Sequence, residues 1–255
     1  MIRETEVVLT RDKELGEAAM NIRTPSTIES VAWEGELVAP ATSYAVRAGR
    51  PVATVGRPEV WPVPQVLQSK ALVDEAVPIW TPPLGDAEFW LVRLACTLRQ
   101  PGGGSKITEA EQRLALRPRN AAAEPHSTYA YSLFPDRLGV EDSTELAVSL
   151  APELKFGKEV ELKAGELGAK IDYRKVFPVV QSYGAGEPTP YWVFRSHRKR
   201  PIDGSQFVYA VVAAENDAEG IRALVSLTAM VESGFGPIRW GLPEEAKAQT
   251  RIDIP

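Results

Sequence analysis

The sequence predicts a mainly β fold, a two-sheet antiparallel sandwich with one or two peripheral helices, on three observations. Apolar residues recur two apart over several stretches, 90–98 and 146–150 among them, which is the period of a half-buried strand and not of a helix. Prolines number 21 in 255 residues, above the usual ~5%, and proline interrupts helices and central strands alike, so the elements should be short. Residues 207–214 are uncharged and apolar on both faces. Such a strand belongs at the centre, covered on one side by a second sheet and on the other by a helix or arm.

Taken in order, Val7 and Leu9 alternate with polar neighbours as a first strand. Residues 12–24 are charged around Gly16 and read as a loop or a short helix. Ile28, Val31, Trp33 and Leu37 mark a second strand, and the skipped spacing between Ile28 and Val31 marks a bulge or bend. Residues 44–46 and 52–55 are short strands around a turn at Gly49, Arg50 and Pro51. Residues 58–83 hold six prolines and read as an irregular arm, with a helix over 65–76, where glycine and proline are absent. Trp90, Val92, Leu94, Cys96 and Leu98 line one face of a strand that ends in the glycine loop at 101–105. Residues 107–116 fit a helix capped by Thr108 and Glu111, or a strand returning from that loop as a hairpin; the strand is the reading.

Beyond an exposed connection at 119–126, residues 129–134 form a short strand and 136–144 an acidic loop. Leu146, Val148 and Leu150 alternate as a strand. Alternation over 158–173 slips phase at Ala164, Gly165 and Glu166, the signature of a bulge or tight turn. Val176, Val179 and Val180 surround Pro178, and residues 184–190 are a turn-rich loop. The stretch 191–230 then runs from aromatic strand through basic cluster, apolar strand and acidic turn to a second apolar segment. Ile221, Ala223, Val225, Leu227, Ala229 and Val231 are two apart, so a strand is preferred to the helix that Asp217 would cap. Residues 234–255 read as a surface tail anchored by Trp240. The domain reading is an N-terminal β segment at 1–57, either part of the sandwich or a subdomain, a proline-rich connector with a short helix at 58–86, and a sandwich core at 87–255.

Composition limits the functions open to this chain. The net charge of -5 and pI near 5.3 argue against a general polyanion binder, though not against a local anion site. A single cysteine, Cys96, excludes an intrachain disulfide and fits a reducing, cytoplasmic setting. Arg3, Glu4 and Glu6 interrupt the run a signal peptide needs, and the longest uncharged apolar stretch, 204–214, is 11 residues against the ~20 of a membrane helix.

The one dense basic segment is Arg195, His197, Arg198, Lys199 and Arg200. Cations beside aromatics suit phosphates and stacked bases, but strand alternation turns Trp192 and Phe194 toward the core, and a solvated hairpin turn accounts for the cluster. His126 and His197 are too few to build a zinc site without carboxylates from elsewhere. Cys96 sits on an apolar face as a core residue, away from the electropositive setting of a reactive thiolate. Gly102, Gly103, Gly104, Ser105 and Lys106 lack Walker spacing and read as a loop. Asp136, Glu141 and Asp142 read as a solvated acidic loop, with no spacing that singles out calcium or glycosidase chemistry. Two strands joined by a polar turn are also the unit of membrane-inserting hairpins, but a pore strand needs one polar face, which 207–214 lacks. No motif calls for a cofactor or metal. The expectation is a non-enzymatic binding or assembly protein, a subunit of a cytoplasmic complex, with a protein partner or self-association. The alternatives are nucleic-acid association through 195–200 and a carboxylate-dependent hydrolase on a β scaffold.

Overall fold

The computed structural model describes residues 7–11, 18–22, 28–39, 49–64, 87–141, 153–156, 176–198, 201–215, 217–234 and 236–255. Its strands are β1 (Val7–Arg11), β2 (Ala18–Ile22), β3 (Val31–Glu36), β4 (Val52–Gly56), β5 (Glu59–Pro62), β6 (Glu88–Arg99), β7 (Lys106–Pro118) and β8 (Thr128–Phe134). They continue as β9 (Arg137–Glu141), β10 (Glu153–Phe156), β11 (Val176–Tyr183), β12 (Tyr191–Arg195), β13 (Gly204–Ala214), β14 (Ile221–Ser233), β15 (Gly236–Gly241) and β16 (Arg251–Ile254). An α-helix, α1 (Glu244–Gln249), lies between the last two strands. The protein is mainly β, with two large antiparallel sheets, as a two-sheet sandwich requires.

The larger, seven-stranded sheet has the order β15-β14-β7-β12-β11-β9, with β16 also on β14. The smaller, six-stranded sheet has the order β3-β4-β6-β13-β8, with β5 on β6. A separate three-stranded sheet joins β1, β2 and β10. Between the two large sheets lies one apolar layer. From the smaller sheet it takes Val92, Leu94, Cys96, Leu98, Val208, Ala210 and Val212; from the larger, Leu114, Trp192, Phe194, Ala223, Val225 and Leu227. The opposite face of β6 and β13 carries a second buried cluster of Phe89, Leu91, Tyr209, Val211 and Ala213, against which Trp61 and Val63 pack. This is why 207–214 is apolar on both sides.

Chain reversals do not make hairpins at the three most conspicuous turn signals. The glycine loop leads from β6 in the smaller sheet to β7 in the larger, the basic segment leads from β12 in the larger to β13 in the smaller, and the turn before Ile221 leads from β13 to β14. Instead β6 pairs with β13 across Gly204↔Leu98 to Ala214↔Glu88, and β7 with β14 across Ile221↔Pro118 to Glu232↔Lys106. The expected hairpins at 101–105 and 195–200 are thus corners between sheets. A turn-forming sequence fixes that the chain reverses, whereas strand burial on both faces decides which neighbour it finds.

Other expectations are corrected as well. Residues 18–22 are a strand, where a loop or helix was expected over 12–24. The start of the proline-rich arm is β5, which pairs with β6 because Pro62 sits at its end, where a missing donor costs little. Part of the supposed acidic loop is β9, paired with β11 through a register shift at Pro178 and Val180. The supposed tail is two strands and a helix, with Trp240 buried as its anchor. The strands expected at 107–116 and 221–231 are present; the bulge expected between Ile28 and Val31 falls instead between Val31 and Trp33. The helix at 65–76, the strands at 44–46 and 146–150 and the phase slip at 164–166 lie outside the described residues.

Both open sides of the sandwich are stitched by backbone bonds. Val38 N–H donates to Gly241 O at 2.9 Å and Gly241 N–H to Val38 O at 2.8 Å, joining the ends of β3 and β15. On the other side Ala130 N–H donates to Glu187 O at 3.0 Å and Gly186 N–H to Ala130 O at 2.7 Å. Such bonds occupy sheet edges that would otherwise present unpaired groups.

Candidate interaction face

The inner face of β7, β12 and β14 is taken by the core, so their alternate residues face outward in cross-strand rows. One row runs Ser226, Arg113, Tyr191 and Tyr183. The next runs Thr228, Glu111, Val193 and Gln181, and the one after it Met230, Glu109 and Arg195. The first row is a stacked ladder. Tyr183 and Tyr191 lie with ring centroids 5.0 Å apart and planes 17° from parallel, and the Arg113 guanidinium sits 4.9 Å from the Tyr191 ring centre.

Tyr191 is therefore held between a ring from β11 and a cation from β7. Arg113 is oriented in turn by Glu111, whose Oε1 accepts from Nη2 at 2.8 Å and from Nε at 3.1 Å. The ring pair is worth about 0.5–1.5 kcal/mol, and the cation–π contact about 0.5–1 kcal/mol on a partly exposed face. All of these side chains are half-buried, so the ladder is rigid and still reachable. Tyrosine and arginine held this way are the residue types that dominate protein recognition surfaces, because little side-chain entropy remains to be lost.

The predicted basic segment lies at one end of the same face. Arg195 ends β12 and faces Glu109, with Nε 3.4 Å from a carboxylate oxygen. Ser196 N–H donates to Thr108 O at 2.9 Å. His197 is half-buried and Arg198 exposed, while Lys199 and Arg200 lie outside the described residues. The crossover is pinned by Gln100, whose Nε2 donates to Ile202 O at 2.6 Å and whose Oε1 accepts from Ile107 N–H at 2.8 Å. Trp192 and Phe194 are buried in the core, so the rings that precede the cations in sequence do not share their surface.

The remaining sequence candidates fall elsewhere. Cys96 is buried and burial pushes its thiol up to about 12. His126 is exposed in a 3-10 turn, Pro125–Ser127. Asp136 accepts a hydrogen bond from Ser182 Oγ at 3.2 Å; the Glu141 side chain and Asp142 lie outside the description. Among the described residues no three His, Cys, Asp or Glu side chains gather to hold a metal ion, and no helix is long and apolar enough to cross a membrane. The tyrosine–arginine ladder escaped the sequence reading, because Arg113 lies 70 residues before Tyr183 in the chain while Tyr183 and Tyr191 flank one turn; only the alternation of Arg113 with Glu111 and Glu109 hinted at a wet face there.

No protein-family model matches the chain, and no curated protein matches it. Among solved structures it is similar to a pore forming protein at 8% identity and TM-score 0.28, over 93% of this chain and 90% of that one. It is similar to Clostridium perfringens delta-toxin at 9% identity and TM-score 0.31, over 100% and 99%. It is also similar to the Clostridium perfringens NetB toxin in its membrane-inserted form, at 6% identity and TM-score 0.25, over 98% and 90%. Likenesses this distant carry no functional argument.

Proposed function

We propose that this chain is a non-enzymatic binding or assembly protein, a subunit of a cytoplasmic complex, that meets a protein partner through the outer face of its larger sheet. The observation that carries the reading is the ladder of Tyr183, Tyr191 and Arg113. Both faces of the Tyr191 ring are engaged within the protein, which leaves ring edges, hydroxyls and charges outward. That is chemistry for a protein surface, not for stacking a base or a sugar.

The test compares native size and retained partners of the wild type with those of Tyr191→Ala/Arg113→Ala, after matched melting curves establish that both are folded. A defined partner or self-association that the double variant loses supports the reading. The same complex held equally by both overturns it.

A second reading, nucleic acid bound at the crossover, is favoured by the exposure of Arg198 beside Arg195 and His197. Replacing Arg195, Arg198, Lys199 and Arg200 by alanine should then abolish binding to single-stranded RNA and flatten its salt dependence. Binding that survives those changes removes this reading.

A further inference from the structure

The outer face of the larger sheet carries at its far end a basic cluster that no single stretch of sequence displays. Strand pairing sets Arg117 of β7 directly opposite Arg222 of β14, and Arg222 opposite Asp253 of β16. Arg251 stands two residues before Asp253, opposite Leu224. Arg119 lies just past the end of β7, where its N–H donates to Gly220 O at 3.0 Å. All four arginines are exposed, and alternation puts Arg117, Arg222 and Arg251 outward, because Leu116, Ile221 and Ala223 are buried. Among the described residues the ion pair of this cluster is Arg222 Nε with Asp253 Oδ1, at 3.5 Å.

Like charges directly opposite on antiparallel strands repel, with Cβ atoms only about 4.5–5.5 Å apart. Asp253 offsets Arg222, and the Pro255 carboxyl carbon lies beside the Arg119 side chain at Gly220, but Asp253 stands on the far side of β14 from Arg117, so the repulsion between Arg117 and Arg222 remains. A group with two negative charges and several acceptor oxygens, reached from both strands by planar guanidinium forks, would relieve it.

We infer that Arg117, Arg119, Arg222 and Arg251 form a binding site for the phosphate group of a soluble phosphate ester. An extended polyanion or an anionic membrane fits less well. The chain is net negative at -5, and Glu109 and Glu111 stand on the same face of β7. A broad anionic surface would meet those carboxylates, whereas a single phosphate meets the cluster alone. The site lies about 27 Å from Arg195, eight residues along an extended strand. It is thus separate from the crossover and independent of the partner proposal.

The experiment uses the full chain, inorganic phosphate as probe, and chloride at equal ionic strength as reference. In chloride, Arg117→Gln/Arg222→Gln is expected to melt about 1–3 °C above the wild type, through lost repulsion. Phosphate should raise the wild-type midpoint and the variant's much less, and titration calorimetry should show binding weakened by about tenfold or more. The general stabilisation that phosphate gives any protein is common to both and cancels. An equal gain in both proteins overturns the site, as does a variant that melts below the wild type in chloride. Capture on vesicles of phosphatidic acid in phosphatidylcholine, without a response to inorganic phosphate, overturns it in favour of a membrane surface.

Discussion

Cys96 lies on the inner face of β6 between Leu94 and Leu98, and burial moves its thiol from 9.0 up to about 12. The unfolded chain releases that proton near 9 while the folded one keeps it, so the associated stability is complete below pH 9 and falls as pH rises toward 12. The slope approaches about 1.4 kcal/mol per pH unit. Urea unfolding between pH 8 and 10.5 should therefore show a steeper loss for the wild type than for Cys96→Ala, and equal slopes would contradict the burial. Gln112 is the opposite case. It is fully buried, and neither amide atom has a hydrogen-bond partner among the described residues. Gln112→Leu keeps the volume and removes the desolvated amide, so it should stabilise by about 1–2 kcal/mol in urea; a destabilised variant would mean that the amide is satisfied within the fold. Cys96 was readable because its whole strand alternates. Gln112 was not, because it occupies an inward position in a segment whose apolar pattern also fits a helix.

Corners between elements carry the next constraints. Gly220 has φ of 99°, and a Cβ there would come within 2.7 Å of Ile254 O. Gly220→Ala combines a strained backbone with a backbone clash, so it should cost about 2 kcal/mol or more and loosen β16 from β14, visible as faster amide exchange at Ile252 and Ile254. Exchange unchanged at those amides would show that the corner tolerates a side chain. The ladder can be weighed separately. A double-mutant cycle on Tyr183 and Tyr191 should give a coupling of about 0.5–1.5 kcal/mol, and a coupling near zero would mean the stack forms without holding its members. The strand at 221–231 was legible because six apolar residues two apart outnumber the helical match. Its partner was not: Asp217 and Gly220 announce a reversal, and nothing local says whether the chain returns beside β13 or passes into the other sheet. The same limit hid the role of Arg195, whose neighbour Glu109 lies 86 residues earlier in the chain.

Across the whole molecule, five connections pass the chain between the large sheets, β6 to β7, β7 to β8, β8 to β9, β12 to β13 and β13 to β14, and the layer between the sheets is shared by both. Neither sheet can bury its inner face alone, which is the condition for both to unfold together. The central strand was legible for this reason: a segment with no charge on either face must be covered twice, and β13 is covered by the larger sheet on one side and by the cluster around Trp61 and Val63 on the other. The sheet order was not legible, since it depends on which of many apolar strands share an edge. Leu94 sits in the shared layer with no exposure, so Leu94→Ala should destabilise by about 2–5 kcal/mol. The loss should not be confined to the sheet that carries it. Trp33 and Trp90 report on the smaller sheet, Trp192 and Trp240 on the larger, and all four are buried. Tryptophan fluorescence of variants that retain one pair or the other should therefore trace the same shifted midpoint, with an unchanged dependence on urea. If instead the Trp192 and Trp240 signal kept the wild-type midpoint while the other pair moved, the two sheets would be separate folding units, and the interaction face would rest on a scaffold that stands without its partner sheet.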